Sequence, residues 1–270
     1  MYNTDEDIMK RMQEHYAVLE DMGYEVVGLF LQGSQNYNLG YEDSDVDTKA
    51  IVLPTLDDII LNKKPVSFTH VMENEEHIDV KDIRVMFENI LKQNINFVEI
   101  LFTDYKIVNP KYSDYLEELF RKREMIAKYD IRGALNCMAG MQMEKFKALQ
   151  HRYPTTAWKI DKWGYDPKQL SHIIRLVDFM EKYINGCSYA DCLFYEDRLF
   201  MLEVKKGNFY SVEKAVEVAQ DCVKRCKEMK DKYLEENETY KLEEVLQVMN
   251  NTKAKIMKKF FVEELMKSGI

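Results

Sequence analysis

Two runs decide the fold: Tyr24-Glu25-Val26-Val27-Gly28-Leu29-Phe30-Leu31-Gln32 with the following Gly33-Ser34, and Asp45-Val46-Asp47-Thr48-Lys49-Ala50-Ile51-Val52-Leu53-Pro54. The first is a short apolar run of β type that ends at a Gly-Ser turn. A polar, turn-rich segment from Gln35 to Ser44, with Asn36, Asn38 and Gly40, separates it from the second, which predicts a strand starting at Asp45 and closed by Pro54. Residues i and i+2 of a strand project to one face, so Asp45 and Asp47 bring two carboxylates side by side while Val46 turns away. Like charges held that close raise a pKa unless a cation sits between them. A hard divalent ion such as Mg²⁺ takes one or two carboxylates, substrate phosphates and water. Gly33 and Ser34 add backbone N–H groups and a hydroxyl at a turn, which suits a phosphate. The combination predicts a site for a metal–nucleotide complex. An Asp-x-Asp pair alone is commonplace among 47 acidic residues, and the order strand, Gly-Ser, loop, Asp-x-Asp, strand is the restrictive part.

Outward from this segment, Thr4 and Asp7 read as an N-cap with an acidic third position, and Ile8, Met12, Tyr16 and Leu19 repeat at helical spacing up to Gly23. Residues 55–62 predict a short helix, 66–72 and 77–80 strands, and 82–92 an amphipathic helix. Beyond about residue 110 the pattern becomes helical, over roughly 112–124, 130–151, 166–185, 211–235 and 241–266. The expected class is α+β: a small mixed β-sheet with flanking helices in residues 1–108, followed by an all-helical domain in 109–270, with the seam near Asn109-Pro110.

With 46% apolar and 31% charged residues, the 270-residue chain is neither a disordered tail nor a membrane protein. No apolar run approaches the roughly 20 residues of a bilayer-spanning helix. The acidic start, Met1 to Asp7, lacks the pattern of a secretory signal. Five scattered cysteines argue against a disulfide framework or a structural zinc site and for a reducing cytosol. The net charge of −9 excludes a globally basic nucleic-acid wrapper. That charge is uneven: residues 1–108 carry 9 Lys/Arg against 21 Asp/Glu, and 109–270 carry 29 against 26. An acidic half is a solvated surface or a holder of metal ions.

On the predicted helix from Asp166 to Lys182, Lys168, His172 and Arg175 fall on one stripe, opposite Leu170, Ile173, Val177 and Met180. Such a stripe suits a triphosphate or a nucleic-acid phosphate, or is a solvated basic face. Lys205-Lys206 and the lysines at 253, 255, 258 and 259 read as surface, and Tyr37 as a packing side chain or a stacking platform for a base. Cys222 and Cys226 share a helix face without further metal ligands. The chain has no P-loop, dinucleotide fingerprint, Gly-x-Ser-x-Gly elbow or His-Glu-x-x-His motif.

The string from Gly33 through Asn36, Gly40 and Ser44 to Asp47 resembles the signature of the DNA polymerase β-type nucleotidyltransferase superfamily. It is most similar to predicted bacterial and phage nucleotidyltransferases associated with RNA repair. Asp79 to Phe87, Asn94 to Leu101, Gly164 to Leu176 and Leu202 to Gly207 extend the resemblance over roughly residues 25–230. The resemblance implies transfer of a nucleoside monophosphate from an NTP to a hydroxyl, with pyrophosphate leaving and two Mg²⁺ ions, replaceable by Mn²⁺, as cofactors. It implies Asp45 and Asp47 as ligands of both metals and Asp79 as the third carboxylate, with Asp82 as a rival three residues on. Gly33 and Ser34 would hold phosphates, and Lys49, Lys168, His172 and Arg175 would belong to the nucleotide site. Lys49 stands where that group usually has an arginine, keeping the charge and losing the planar fork. The implied acceptor is an RNA or other nucleic-acid 3′ end. Transfer of AMP to a protein or small-molecule hydroxyl, and an inactive nucleotide-binding scaffold, remain as alternatives. NTP identity and oligomeric state are not encoded in these motifs.

Overall fold

The computed structural model describes residues 4–40 and 44–269. In chain order the elements are α1 (Asp5–Asp21), β1 (Val26–Leu31), β2 (Thr48–Val52), α2 (Leu56–Ile60), β3 (Ser67–Val71), β4 (His77–Asp82), α3 (Ile83–Leu91), α4 (Ile95–Val98), β5 (Lys106–Val108), α5 (Ser113–Arg121) and α6 (Arg123–Ala127). Then follow α7 (Ile131–Ala148), α8 (Ala157–Trp163), α9 (Pro167–Ile184), α10 (Tyr189–Leu193), α11 (Arg198–Lys206), α12 (Val212–Glu236) and α13 (Glu243–Ser268). The protein is α+β, as its sequence pattern predicts.

The five strands form one mixed sheet in the order β3-β4-β2-β1-β5. β1 is antiparallel to β2 and β5, β3 is antiparallel to β4, and β2 runs parallel to β4 with Lys49 opposite Asp79. Central β1 and β2 are buried along their whole length. α1 starts at a capping box in which Thr4 and Asp7 satisfy each other's backbone N–H groups. Its buried stripe, Ile8, Met12, His15 and Leu19, repeats at helical spacing. The apolar part of it packs on Leu29, Leu31, Val46, Ala50, Val52, Ile78 and Val80. Fully buried Met12 and Leu19 each contribute about 2 kcal/mol of hydrophobic stabilisation.

Two compact units emerge. One holds residues 1–36, 40–129 and 242–270, the other 37–39 and 130–241. Helices α5, α6 and α13 thus belong to the unit that contains the sheet, although they lie beyond the seam at Asn109-Pro110 that composition suggests. In the helical unit, α9 packs on α7, α10, α11 and α12. Its two ends meet at an isolated antiparallel bridge between Asp130 and Lys241, and Lys241 Nζ lies 3.4 Å from the Asp130 carboxylate. In the sheet unit the next residue, Leu242, donates its N–H to the carbonyl of Tyr129 at 3.0 Å.

Candidate functional site

The turn after β1 is stitched to the acidic segment before β2. Gln32 N–H donates to the Asp47 carbonyl at 2.9 Å, extending the ladder one step past the strands. The Gln35 side-chain amide donates to the Asp45 carbonyl at 2.8 Å. Between them Gly33 has φ +88°, a conformation natural to glycine, and a Cβ built there would meet no heavy atom within 4 Å. Ser34 opens a single 3₁₀ turn (Ser34–Tyr37) closed by Asn36 N–H on the Gly33 carbonyl at 3.1 Å. Asn36 is fixed in turn: its amide donates to the Leu31 carbonyl at 2.6 Å, and the Thr103 hydroxyl donates to Asn36 Oδ1 at 2.7 Å. The Ser34 hydroxyl makes no hydrogen bond among the described residues.

β2 begins at Thr48, so Asp45 and Asp47 lie on an extended lead-in rather than inside the strand as predicted. The alternation nevertheless holds, with Asp45 exposed, Val46 buried and Asp47 half-buried. Asp47 Oδ1 accepts the His77 backbone N–H at 3.0 Å and lies 3.2 Å from His77 Nδ1. Among the described residues the Asp45 carboxylate has no partner. Tyr41, Glu42 and Asp43, part of the signature string, lie outside the described residues.

Asp79 is placed differently from a vacant metal ligand. Its Oδ2 accepts from Lys49 Nζ at 2.6 Å and its Oδ1 faces Lys81 Nζ at 2.8 Å. Lys49 is itself buried, with its ammonium 4.1 Å from the centre of the Phe97 ring, so its charge is committed to Asp79 and Phe97. Burial pushes the Lys49 pKa down, and Asp79 opposes that shift. Asp82 has another task. It is fully buried, accepts the Arg84 backbone N–H at 2.8 Å as the N-cap of α3, and pairs with the Arg84 guanidinium at 2.5 Å.

Sequence reasoning passed over Glu76 and His15. Glu76 is 1% exposed and binds Arg11, the Asn74 amide at 2.8 Å, His15 Nε2 at 3.2 Å and the Val46 backbone N–H. His15 Nδ1 lies 2.9 Å from Thr48 Oγ1. Burial, reinforced by the positive charge of Arg11, holds the imidazole down at about 4. A neutral ring with a carboxylate on one nitrogen donates from Nε2–H to Glu76 and accepts the Thr48 hydroxyl on Nδ1.

In the helical unit, Asp166 caps α9 by accepting the Lys168 backbone N–H at 2.9 Å. Lys168 is exposed, and Arg175 lies over the Tyr37 ring with 3.7 Å from the guanidinium carbon to the ring centre. Tyr37 is buried under that cation, which favours its packing role. The Asn38 carbonyl accepts from Arg198 at 2.6 Å and the Leu39 carbonyl from Lys205 at 3.1 Å, so Lys205 is tied to this segment rather than idle on the surface. His172 is not a third cation: burial, with Arg175, Lys145, Lys168 and Lys205 around it, holds its pKa well below the ordinary imidazole value. The stripe is therefore a set of cations around a neutral imidazole.

Hard, anionic oxygens on Asp45 and on the second oxygen of Asp47, beside an open glycine turn, fit a hard divalent cation. Asp79 does not fit while both its oxygens are held by lysines, and among the described residues no three His, Cys, Asp or Glu side chains gather closely enough to hold a metal. No helix among the described residues is long and apolar enough to cross a membrane.

No protein-family model and no curated protein matches the sequence. Among solved structures, a nucleotidyltransferase-like protein from Exiguobacterium sibiricum 255-15 aligns over 98% of this chain and 92% of its own, with a TM-score of 0.32 and 12% identity. A TM-score that low leaves fold and function to be read from the geometry above.

Proposed function

We propose that the protein is a metal-dependent nucleotidyltransferase that moves a nucleoside monophosphate from an NTP to the 3′ hydroxyl of a nucleic acid, RNA foremost. The observation that carries this reading is the joining of Gly33-Ser34 to Asp45 and Asp47 by the Gln32 and Gln35 hydrogen bonds. Asp45 and Asp47 would hold Mg²⁺, which when bound screens the phosphates and acidifies the acceptor hydroxyl. Asp79 joins the set only by giving up a lysine, and until then Lys49 and Lys81 neutralise its charge. The Ser34 hydroxyl and the uncrowded Gly33 backbone bind the triphosphate. Arg175, Lys168 and Lys205 in the helical unit suit phosphate in the same chemical sense. In the transfer, the acceptor oxygen forms a bond to the α-phosphorus, the bond from that phosphorus to the pyrophosphate oxygen breaks, and the hydroxyl proton leaves to solvent.

A nucleic-acid acceptor is supported by a groove of about 410 Å³ in the sheet unit, lined by Tyr115, Lys255, Lys258, Lys259, Val262 and Glu263. The three lysines share one stripe of α13, are exposed, and pair with no acid among the described residues. Positive charge beside an aromatic ring is the equipment for a phosphate backbone and its bases.

Incubation with each α-labelled NTP, Mg²⁺ or Mn²⁺, and total RNA, a protein extract or no acceptor tests the proposal. Label on RNA is expected, and D45N/D47N abolishes it while circular dichroism stays unchanged. Label on protein redirects the acceptor, and transfer that survives the double substitution refutes the site.

A further inference from the structure

Glu76 is an anomaly of its surroundings. It belongs to the run Glu73-Asn74-Glu75-Glu76 in the turn between β3 and β4, where Glu73, Asn74 and Glu75 are exposed, yet Glu76 is 1% exposed. A buried carboxylate is costly unless every oxygen is paired. Here Arg11, His15, Asn74 and the Val46 N–H do the pairing. Val46 is the residue between the two acids. Its N–H, Glu76, the His15 imidazole and the Thr48 hydroxyl form one hydrogen-bonded chain that leaves the segment at Val46 and returns at Thr48. Both chain neighbours of Asp47 are thereby tied to the α1 side of the sheet, and strand alternation sends the Asp47 carboxylate the other way.

We infer that Glu76 is the positioning residue of the Asp45/Asp47 pair: its carboxylate, relayed through His15 to Thr48, fixes the Val46-Asp47-Thr48 backbone so that the two acids converge on one cation. The inference rests on the proposed metal–nucleotide site. Glu76 touches neither nucleotide nor cation and acts only through the backbone. A residue of this kind changes metal affinity in molecules that are still fully folded, whereas a merely structural one changes melting temperature alone.

The test is Mn²⁺ binding, followed by calorimetry and water-proton relaxation with and without a non-hydrolysable NTP analogue, at a temperature well below each variant's melting point. Glu76→Ala is expected to weaken Mn²⁺ binding about tenfold or more, the scale of losing an outer-shell partner of a metal ligand. Glu76→Gln, which keeps an acceptor oxygen for Val46, restores most of that affinity. Should Glu76→Ala fail to fold, Thr48→Val cuts the chain at its far end, leaves the Arg11 pair intact, and is expected to weaken binding about threefold or more on the same scale. Wild-type Mn²⁺ affinity in a folded Glu76→Ala or Thr48→Val protein, with D45N/D47N losing it, overturns the positioning role and spares the site. A wild-type protein that binds no Mn²⁺ even with nucleotide overturns the site, and this role with it.

Discussion

Lys49 Nζ and Asp79 Oδ2 lie 2.6 Å apart across the parallel pair β2 and β4, with Lys49 nearly sealed from solvent and Asp79 18% exposed. An ammonium enclosed in this way depends on its partner, because the desolvation it has already suffered is not refunded when the partner goes. Asp79→Asn is therefore expected to destabilise the protein by about 3 kcal/mol, the scale for breaking a buried pair. Lys49→Met leaves Asp79 with Lys81 and solvent, and should cost about 1 kcal/mol. The double variant should be more stable than Asp79→Asn alone. Urea unfolding of the four proteins decides it, and strictly additive effects would mean that the pair is uncoupled.

Gly33 makes a contrasting prediction. A Cβ there meets nothing, so Gly33→Ala carries only the strain of a left-handed conformation at φ +88°, about 1 kcal/mol. The same methyl group stands over the turn assigned to the triphosphate. NTP affinity should fall at least about tenfold, roughly 1.4 kcal/mol, which exceeds the whole of the strain. Fluorescence titration with a labelled NTP, beside thermal melting, separates the two, and a loss of stability without loss of affinity would remove Gly33 from the site.

Strands β1 to β4 and the acidic turn were legible in the sequence because their causes are local, whereas the three-residue β5 was not read. Thr4 and Asp7 cap α1 from positions three apart, Gly33 supplies the left-handed φ that opens the turn, and the alternation of Asp45, Val46 and Asp47 survives even though β2 starts only at Thr48. What was illegible depends on partners far along the chain. Glu76 reads as a solvated turn acid until Arg11 and His15 arrive from α1. Lys49 reads as a ligand for phosphate until β4 brings Asp79 opposite it. The return of α13 to the sheet unit rests on its packing against α5 and α3, far back along the chain. Asp79 and Asp82 are separated by alternation, which the sequence shows, but also by the Arg84 pair and the cap, which it does not.

The α13 lysines offer a salt-dependent test. Each phosphate neutralised releases condensed counterions, so the logarithm of affinity falls with the logarithm of salt with a slope of about 0.7 per contact on a single strand. K255E/K258E reverses two exposed charges that hold no acid in the fold, and its stability should change by no more than about 0.5 kcal/mol. Its binding to single-stranded RNA should weaken and the salt slope should shrink by about 1.4. Filter binding from low to moderate salt measures both, and an unchanged slope would place the acceptor elsewhere.

The His15 imidazole makes stability depend on pH in a calculable direction. Its pKa is held at about 4 in the folded protein against an ordinary 6.5, chiefly by burial. Between those values the unfolded chain binds a proton that the folded chain refuses, so unfolding gains as pH falls. The contribution is intact above the ordinary imidazole pKa and is lost progressively down to about pH 4, by at most about 3.5 kcal/mol at 1.4 kcal/mol per pH unit. Carboxylates titrate in the lower part of the same window, and a variant isolates the histidine. His15→Gln can still donate to Glu76 and accept from Thr48 but cannot take up the proton. It should therefore be less stable than wild type at neutral pH, through poorer packing, and converge towards it as the pH falls to 4. Parallel stability curves for the two proteins from pH 7 to pH 4 would show that His15 takes up its proton as readily in the folded protein as in the unfolded chain, and would overturn the lowered imidazole pKa.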